Sequence, residues 1–268
     1  MALTSPTRTS AVEVQRPAPR RPFRTALRGI LHRLGYEIHR RPVQVHPLGP
    51  HLQQLFEQQE INCVLDVGAH YGEYAQTLRR LGYRGRIVSF EPLPESYAIL
   101  QEASANDPEW HCHNVALGDT EGEAQFHVTR NTVFCSLLEP NSYSSEWSNR
   151  ESTVERVELV RVAPLERMFD ECTAGIDSPR VFLKMDTQGA DVQVLRGAGR
   201  ALDAISGLQS EVSVKPLYKE MPSYDESIRL FREYGFELTG LFPCAQEEDL
   251  RVIEFDCVMV KGAAKATE

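Results

Sequence analysis

The residues best placed to do chemistry begin with Asp66. It lies in the apolar run Val64-Leu65-Asp66-Val67 and is followed at once by Gly68, Ala69, His70, Tyr71 and Gly72. A buried strand that ends in a carboxylate and turns through glycine into a helix is how open α/β sheets seat ligands at the carboxyl ends of their strands. Gly68 has no Cβ, so the backbone can approach a ligand closely there. Twenty-five residues after Asp66, the run Ile87-Val88-Ser89-Phe90 ends in a second carboxylate, Glu91. At the end of a second strand, that side chain can accept hydrogen bonds from both hydroxyls of a ribose.

The loop chemistry selects among nucleoside cofactors. A dinucleotide site favours GxGxxG, in which three glycines bring a helix N-terminus to a pyrophosphate. Here the loop reads GAHYG, two glycines preceded by an acid. S-adenosylmethionine (SAM) carries a cationic sulfonium and an ammonium and no phosphate, which an acidic loop suits. Two rivals stand beside this reading: an NAD-dependent oxidoreductase, and a non-catalytic scaffold in which the loop is an ordinary α/β turn and Glu91 is solvated.

These residues must be positioned by alternating strands and helices. The chain has 268 residues, enough for one α/β domain plus an appendage. Strands are predicted over 61–66, 86–90, 111–117, 181–186 and 208–214. Helices are predicted after Gly72, from about 94 to 105, over 164–173, after Ala190 and over 223–234. Segments 124–129 and 157–162 read as extra strands around a polar stretch, 130–155. The last two strands, 236–242 and 253–260, are joined by an irregular connection and must therefore be antiparallel. The prediction is a mostly parallel seven-stranded sheet with helices on both faces and a terminal antiparallel pair.

Ahead of this domain, placed at 45–262, the composition changes. Residues 1–41 contain nine Arg against Glu13 and Glu37, whereas the whole chain is at −9. Residues 1–21, rich in Pro, Ser, Thr and Arg, read as a disordered basic arm. Phe23, Leu27, Ile30, Leu31 and Leu34 recur at helical spacing among basic residues, predicting an amphipathic helix within 22–44. It reads as a capping helix or as an anchor for an anionic membrane surface or a partner protein. Pro42, Pro47 and Pro50 mark a linker, and 263–268 a tail. The strongly acidic remainder excludes a nucleic acid as the main partner. No run is long and apolar enough to span a membrane, and no apolar signal region opens the chain, so a cytoplasmic protein is expected. Six scattered cysteines read as buried thiols.

Taken together, the motifs resemble the FkbM family of methyltransferases. The matching pieces are Leu65-Asp66-Val67-Gly68-Ala69, Phe90-Glu91-Pro92, Val115-Ala116-Leu117-Gly118-Asp119, Leu183-Lys184-Met185-Asp186-Thr187-Gln188-Gly189, Val194-Leu195-Arg196-Gly197-Ala198 and Ser210-Glu211-Val212. The resemblance covers roughly residues 60–260. The family commonly has Asn where this chain has His70, and often Val-Glu where it has Thr187-Gln188. The resemblance implies a Rossmann-like class I fold and SAM-dependent methylation of hydroxyls on sugars, glycolipids or polyketides. It assigns cofactor contact to Asp66, Gly68, Ala69, His70, Glu91 and Pro92, with Asn114 and Ala116 in and beside the third motif.

An alcohol is a poor nucleophile, so a base or a metal near its proton should help. Lys184 and Asp186 lie two residues apart at the end of one strand and share a face; Glu211 lies in the next. These three are the catalytic candidates, with Asp186 preferred as a base or a ligand contact. A buried Lys184–Glu211 ion pair is one alternative, because charges in an apolar strand are costly unpaired. Mg²⁺ held by Asp186 and Glu211 is another. His111 and His113 share a strand face but lack a third ligand, so a structural role is expected. The stretch 130–155, with Phe134, Tyr143 and Trp147, reads either as a lid or binding loop for a sugar or polyketide or as a loose surface excursion.

Overall fold

The computed structural model describes residues 47–262. The basic arm, the helix expected between Phe23 and Arg40, and the tail lie outside these residues. Within the described part, the expected linker around Pro47 and Pro50 is instead the start of a helix, α1 (Leu48–Gln58). Pro47 occupies the N-cap position and Pro50 the first turn, where a missing N–H leaves no bond unmade. Leu52, Leu55 and Phe56 follow at helical spacing and are buried.

The main sheet has seven strands in the order β3-β2-β1-β7-β8-β10-β9. These are β1 (Cys63–Val67), β2 (Arg86–Phe90), β3 (Trp110–His113), β7 (Val181–Met185), β8 (Ile205–Ser213), β9 (Phe236–Gln246) and β10 (Val252–Lys261). All neighbours pair in parallel except β10, which is antiparallel to both β8 and β9. Strand order reverses direction at β1, which has β2 on one side and β7 on the other. That switch point opens a crevice beyond the strands' carboxyl ends.

Both faces are covered. Leu65, Val67, Val88, Leu183, Met185 and Leu208 pack with residues of α5 (Leu165–Cys172), α6 (Asp191–Arg196) and α7 (Tyr224–Glu233). Val64, Ile87, Phe182 and Val258 pack with α1, α2 (Glu73–Arg80) and α3 (Pro94–Ser104).

The expected third strand, 111–117, is broken. Asn114 donates from Nδ2 to the carbonyls of Glu91 (2.8 Å) and Pro92 (2.9 Å), and the chain leaves the main sheet there. It resumes as β4 (Ala116–Leu117) in a second sheet of order β4-β6-β5, with β5 (Gly122–Thr129) and β6 (Val154–Ala163). The expected extra strands thus form a sheet of their own. Between β5 and β6 lie a 3₁₀ turn (Thr132–Phe134) and α4 (Ser142–Trp147).

Candidate functional site

The loop after β1 is built around backbone proximity. Gly68 has φ 75°, and a Cβ there would lie 2.0 Å from the Asp186 carbonyl oxygen. Only glycine satisfies both conditions, so the loops that follow β1 and β7 touch at this position. Gly72, at φ 87°, caps α2 and leaves room for the Trp110 ring, which a Cβ would meet at 2.7 Å. Glu91 sits just beyond β2, where its Oε2 accepts the His70 N–H (2.9 Å) and its Oε1 the Leu93 N–H (2.9 Å). Burial pushes its carboxyl up to about 7, although both N–H donors oppose the shift. A cleft lined by Gly68, Phe90, Pro92, Ala116, Cys135 and Thr187 opens beside it.

Beneath the loop runs a row of buried polar side chains. Register places Asp66, Lys184 and Gln209 side by side on β1, β7 and β8. Lys184 Nζ reaches Asp66 Oδ1 (3.1 Å), Asp186 Oδ2 (3.4 Å) and the Gly68 carbonyl (3.3 Å), above the Tyr74 ring. Burial disfavours its charge, but Asp66 and Asp186 outweigh that and hold the ammonium group above its ordinary range. Asp66 is wholly buried and also accepts from Ser89 Oγ (3.1 Å), which in turn accepts from Trp110 Nε1 (3.0 Å). Gln209 receives the Tyr74 hydroxyl (2.9 Å) and donates to Asp256 (2.8 Å).

One step further toward the carboxyl ends, two carboxylates share one amide. Gln188 Nε2 donates to Asp186 Oδ1 (2.9 Å) and Glu211 Oε2 (3.2 Å). Tyr218 sets that amide's orientation by donating to Gln188 Oε1 (2.7 Å). Burial, then the neighbouring charges of Asp186, Glu254 and Asp256, push Glu211 well above the carboxylate range. Glu254, on β10 beside Ser213, is pushed up to about 7 by burial, against the Ser213 hydrogen bond.

The segment from 130 to 147 lies across this end of the sheet as a strap. His70 Nε2 (2.9 Å) and Tyr71 Oη (3.2 Å) meet Thr132 Oγ1, and the two rings stack 3.6 Å apart. Ser136 Oγ donates to the carbonyls of Thr187 (3.2 Å) and Gln188 (2.8 Å). Tyr218 also bonds the Phe134 carbonyl (3.1 Å), and Phe134 meets Trp147 edge-on at 6.3 Å. Tyr143, Trp147 and Leu138 pack on Leu217, Tyr218 and Ile253. The loose-excursion alternative is therefore excluded; the stretch is docked.

The catalytic candidates converge, but not in every pairing considered. Asp186, Lys184 and Glu211 are linked through Gln188 and one ion pair. The Lys184–Glu211 pair does not form among the described residues: Lys184 turns to Asp66 and Asp186 instead. Of the expected cofactor positions, Gly68, Pro92 and Ala116 line the cleft; Glu91 lies in the chain between the lining residues Phe90 and Pro92, and His70 donates its backbone N–H to it. Ala69 and Asp66 are buried, and Asn114 holds the Glu91-Pro92 turn. The Mg²⁺ alternative does not fit the donor set. An amide nitrogen, itself a donor, already bridges the two carboxylates. No group of three His, Cys, Asp or Glu among the described residues is spaced to hold a metal ion. His113 stacks on Phe90 (5.4 Å). Of the cysteines, Cys63, Cys172 and Cys257 are buried, but Cys244 is exposed, contrary to expectation. Gln188 was visible in the sequence only as a departure from a family pattern. Tyr218 carried no local signal at all.

The methyltransferase FkbM domain matches residues 66–238. The chain belongs to the FkbM methyltransferase family. It is similar to the 2-O-methyltransferase NoeI of Sinorhizobium fredii (strain NBRC 101917 / NGR234), 25% identical over 197 residues, covering 70% of this chain and 77% of that protein. Among solved structures it is similar to Aeropyrum pernix fibrillarin in complex with SAM, at 12% identity and TM-score 0.42, over 74% of this chain. The chain spans 66% of that fibrillarin, just under two thirds. It is also similar to precorrin-6y C5,15-methyltransferase from Geobacter metallireducens, at 9% identity and TM-score 0.42, covering 85% of this chain and 94% of that one. The FkbM chain is thus a SAM-dependent methyltransferase with the Rossmann-like class I fold, and the oxidoreductase rival falls. Among the described residues, no helix is long and apolar enough to cross a membrane.

Proposed function

We propose that this FkbM protein transfers the methyl group of SAM to a hydroxyl of a small molecule or glycan, of sugar, glycolipid or polyketide type. The observation that carries this reading is the carboxylate pair Asp186–Glu211, held by Gln188 directly beside the cofactor loop at Gly68. Methyl transfer from a sulfonium is an in-line displacement at an activated carbon, so alignment is most of the work. What remains is removal of a proton from a weak nucleophile, and carboxylates do that. The name of the 2-O-methyltransferase relative supports the same choice.

In this reading Glu91 receives the ribose hydroxyls, and the cleft beside Pro92 and Ala116 takes the adenine side. Asp66 and Lys184, both sealed from solvent, act through the backbone: they fix the Gly68 carbonyl and the Asp186 side chain. The strap, with Phe134 and Trp147, forms a wall of the acceptor side.

Isothermal titration with SAM, S-adenosylhomocysteine (SAH) and NAD tests the cofactor. Incubation of methyl-labelled SAM with glycosides, glycolipids and polyketide alcohols tests the acceptor. The expected result is binding of the two adenosyl-sulfur ligands, without NAD, and label in an alkali-stable ether. Label in an amine or a carboxyl ester would overturn the proposal.

A further inference from the structure

We propose that Glu211 is the catalytic base of the transfer, taking the acceptor's proton on Oε1, with Gln188 and Tyr218 as its positioning residues. The inference rests on the methyltransferase reading above and moves the base from Asp186, the residue preferred from the sequence, to Glu211.

Asp186 is already committed. Its Oδ1 receives the Gln188 amide at 2.9 Å, and its Oδ2 faces the Lys184 ammonium at 3.4 Å. Both of its oxygens are therefore already engaged by partners. Glu211 is bound differently. Only its Oε2 has a hydrogen-bond donor, the same amide at 3.2 Å, and among the described residues Oε1 has none. No cation lies within ion-pairing distance of it among those residues. Its charged neighbours are acids: Asp186 beyond β7, and Asp256 and Glu254 on β10, where Asp256 stands directly across from Glu211. Lys184 acts on it only from a distance; Tyr218 and Cys244 complete the titratable groups that face it.

The amide's orientation is what frees Oε1. Gln188 Oε1 accepts the Tyr218 hydroxyl at 2.7 Å, so Nε2 must point at the carboxylates. A flipped amide would set a carbonyl oxygen against two carboxylates. The Gln188 backbone is pinned in turn: φ is 54°, and Ser136 Oγ holds its carbonyl at 2.8 Å.

The step balances simply. A lone pair of the acceptor oxygen forms the bond to the methyl carbon as the C–S electron pair returns to sulfur. The hydroxyl proton passes to Glu211 Oε1 and leaves to solvent after the products. Burial, and then the acidic neighbours, favour the protonated form of Glu211, and a sulfonium bound beside it would favour the carboxylate. The base is therefore armed by the methyl donor itself.

SAM and SAH differ in that charge and otherwise share the same ribose, adenine and amino-acid groups. Titration of the purified protein with each ligand, near neutral pH in buffers of different ionisation heat, counts the protons released. The expected result is that SAM releases a fraction of a proton more than SAH. Any contribution from Glu91 is common to both ligands and cancels. Glu211→Gln should abolish the difference and Glu211→Asp should retain it. Equal proton release in the wild-type protein overturns the proposal, as does a difference that survives Glu211→Gln. Equal release in the wild-type protein overturns the proposal without any variant, and Glu211→Asp, which keeps a carboxylate, controls for a fold disturbed by substitution at this position. Failure of both ligands to bind would instead overturn the proposed function.

Discussion

Lys184 Nζ lies 3.1 Å from Asp66 Oδ1, with 7% of the lysine side chain and none of the aspartate's exposed. A pair so placed is conditional: each charge is tolerable only because the other is present. Lys184→Met should destabilise the fold by about 3–5 kcal/mol, because it strands Asp66 in the core. The double variant Lys184→Met/Asp66→Asn should recover part of that loss. Urea unfolding of the three proteins checks this; equal stability of the two variants would show that the pair is not coupled.

Glu91 offers a sharper functional test. Replacing it with Ala removes the proposed acceptor for the ribose hydroxyls and frees the His70 and Leu93 N–H groups. Loss of hydrogen bonds to a charged group, at about 1.5–3 kcal/mol each, predicts SAH binding weakened by at least tenfold. Unchanged affinity in a calorimetric titration would remove the ribose from this position.

Stability should fall as pH rises through weakly acidic values, and Glu254 is one cause. Its folded value, about 7, stands above the ordinary 4.5. An acid raised in the folded state binds more protons folded than unfolded, so its contribution is fullest below 4.5 and is lost as pH climbs toward 7. Glu254→Gln should flatten that slope, with a difference on the order of 3 kcal/mol between the two ends. Thermal melts of both proteins across this range measure it. Parallel curves would place the group elsewhere in the pH profile.

The strap depends on small contacts. Thr132→Val deletes the hydroxyl that His70 and Tyr71 share. The expected loss is only about 1 kcal/mol globally. Amide exchange within 131–136 should nevertheless rise by about fivefold, since local opening is less costly than global unfolding and carries the same loss. Protection equal to wild type would mean that Ser136 and Tyr218 hold the strap alone.

What could be read in the sequence was local. Asp66, Gly68 and Glu91 announced themselves because strand, turn and acid sit within a few residues of one another, and the terminal antiparallel pair followed from one short connection. The rest depended on contacts distant along the chain. The start of α1 was obscured by Pro47 and Pro50, which also read as a linker. The break at Asn114 depends on a bond to carbonyls more than twenty residues earlier. The strap reads as polar and loose until Tyr218, some 84 residues beyond Phe134, is brought to its carbonyl. A Lys184–Glu211 pair was one alternative in the sequence, and Asp66 was not among the expected partners; only the register, which sets Asp66 and Gln209 opposite Lys184, turns the lysine to β1.

The protein has two tryptophans, and the fold sets them in different surroundings. Trp110 ends a hydrogen-bonded chain that runs through Ser89 and Asp66 to Lys184; Trp147 packs in the strap near Tyr218. Their ultraviolet emission therefore gives two native optical channels, one beneath the loop that follows β1 and one in the strap. Trp110→Phe isolates one and Trp147→Phe the other, so the order in which the two halves of the site respond to ligand can be timed without an attached label.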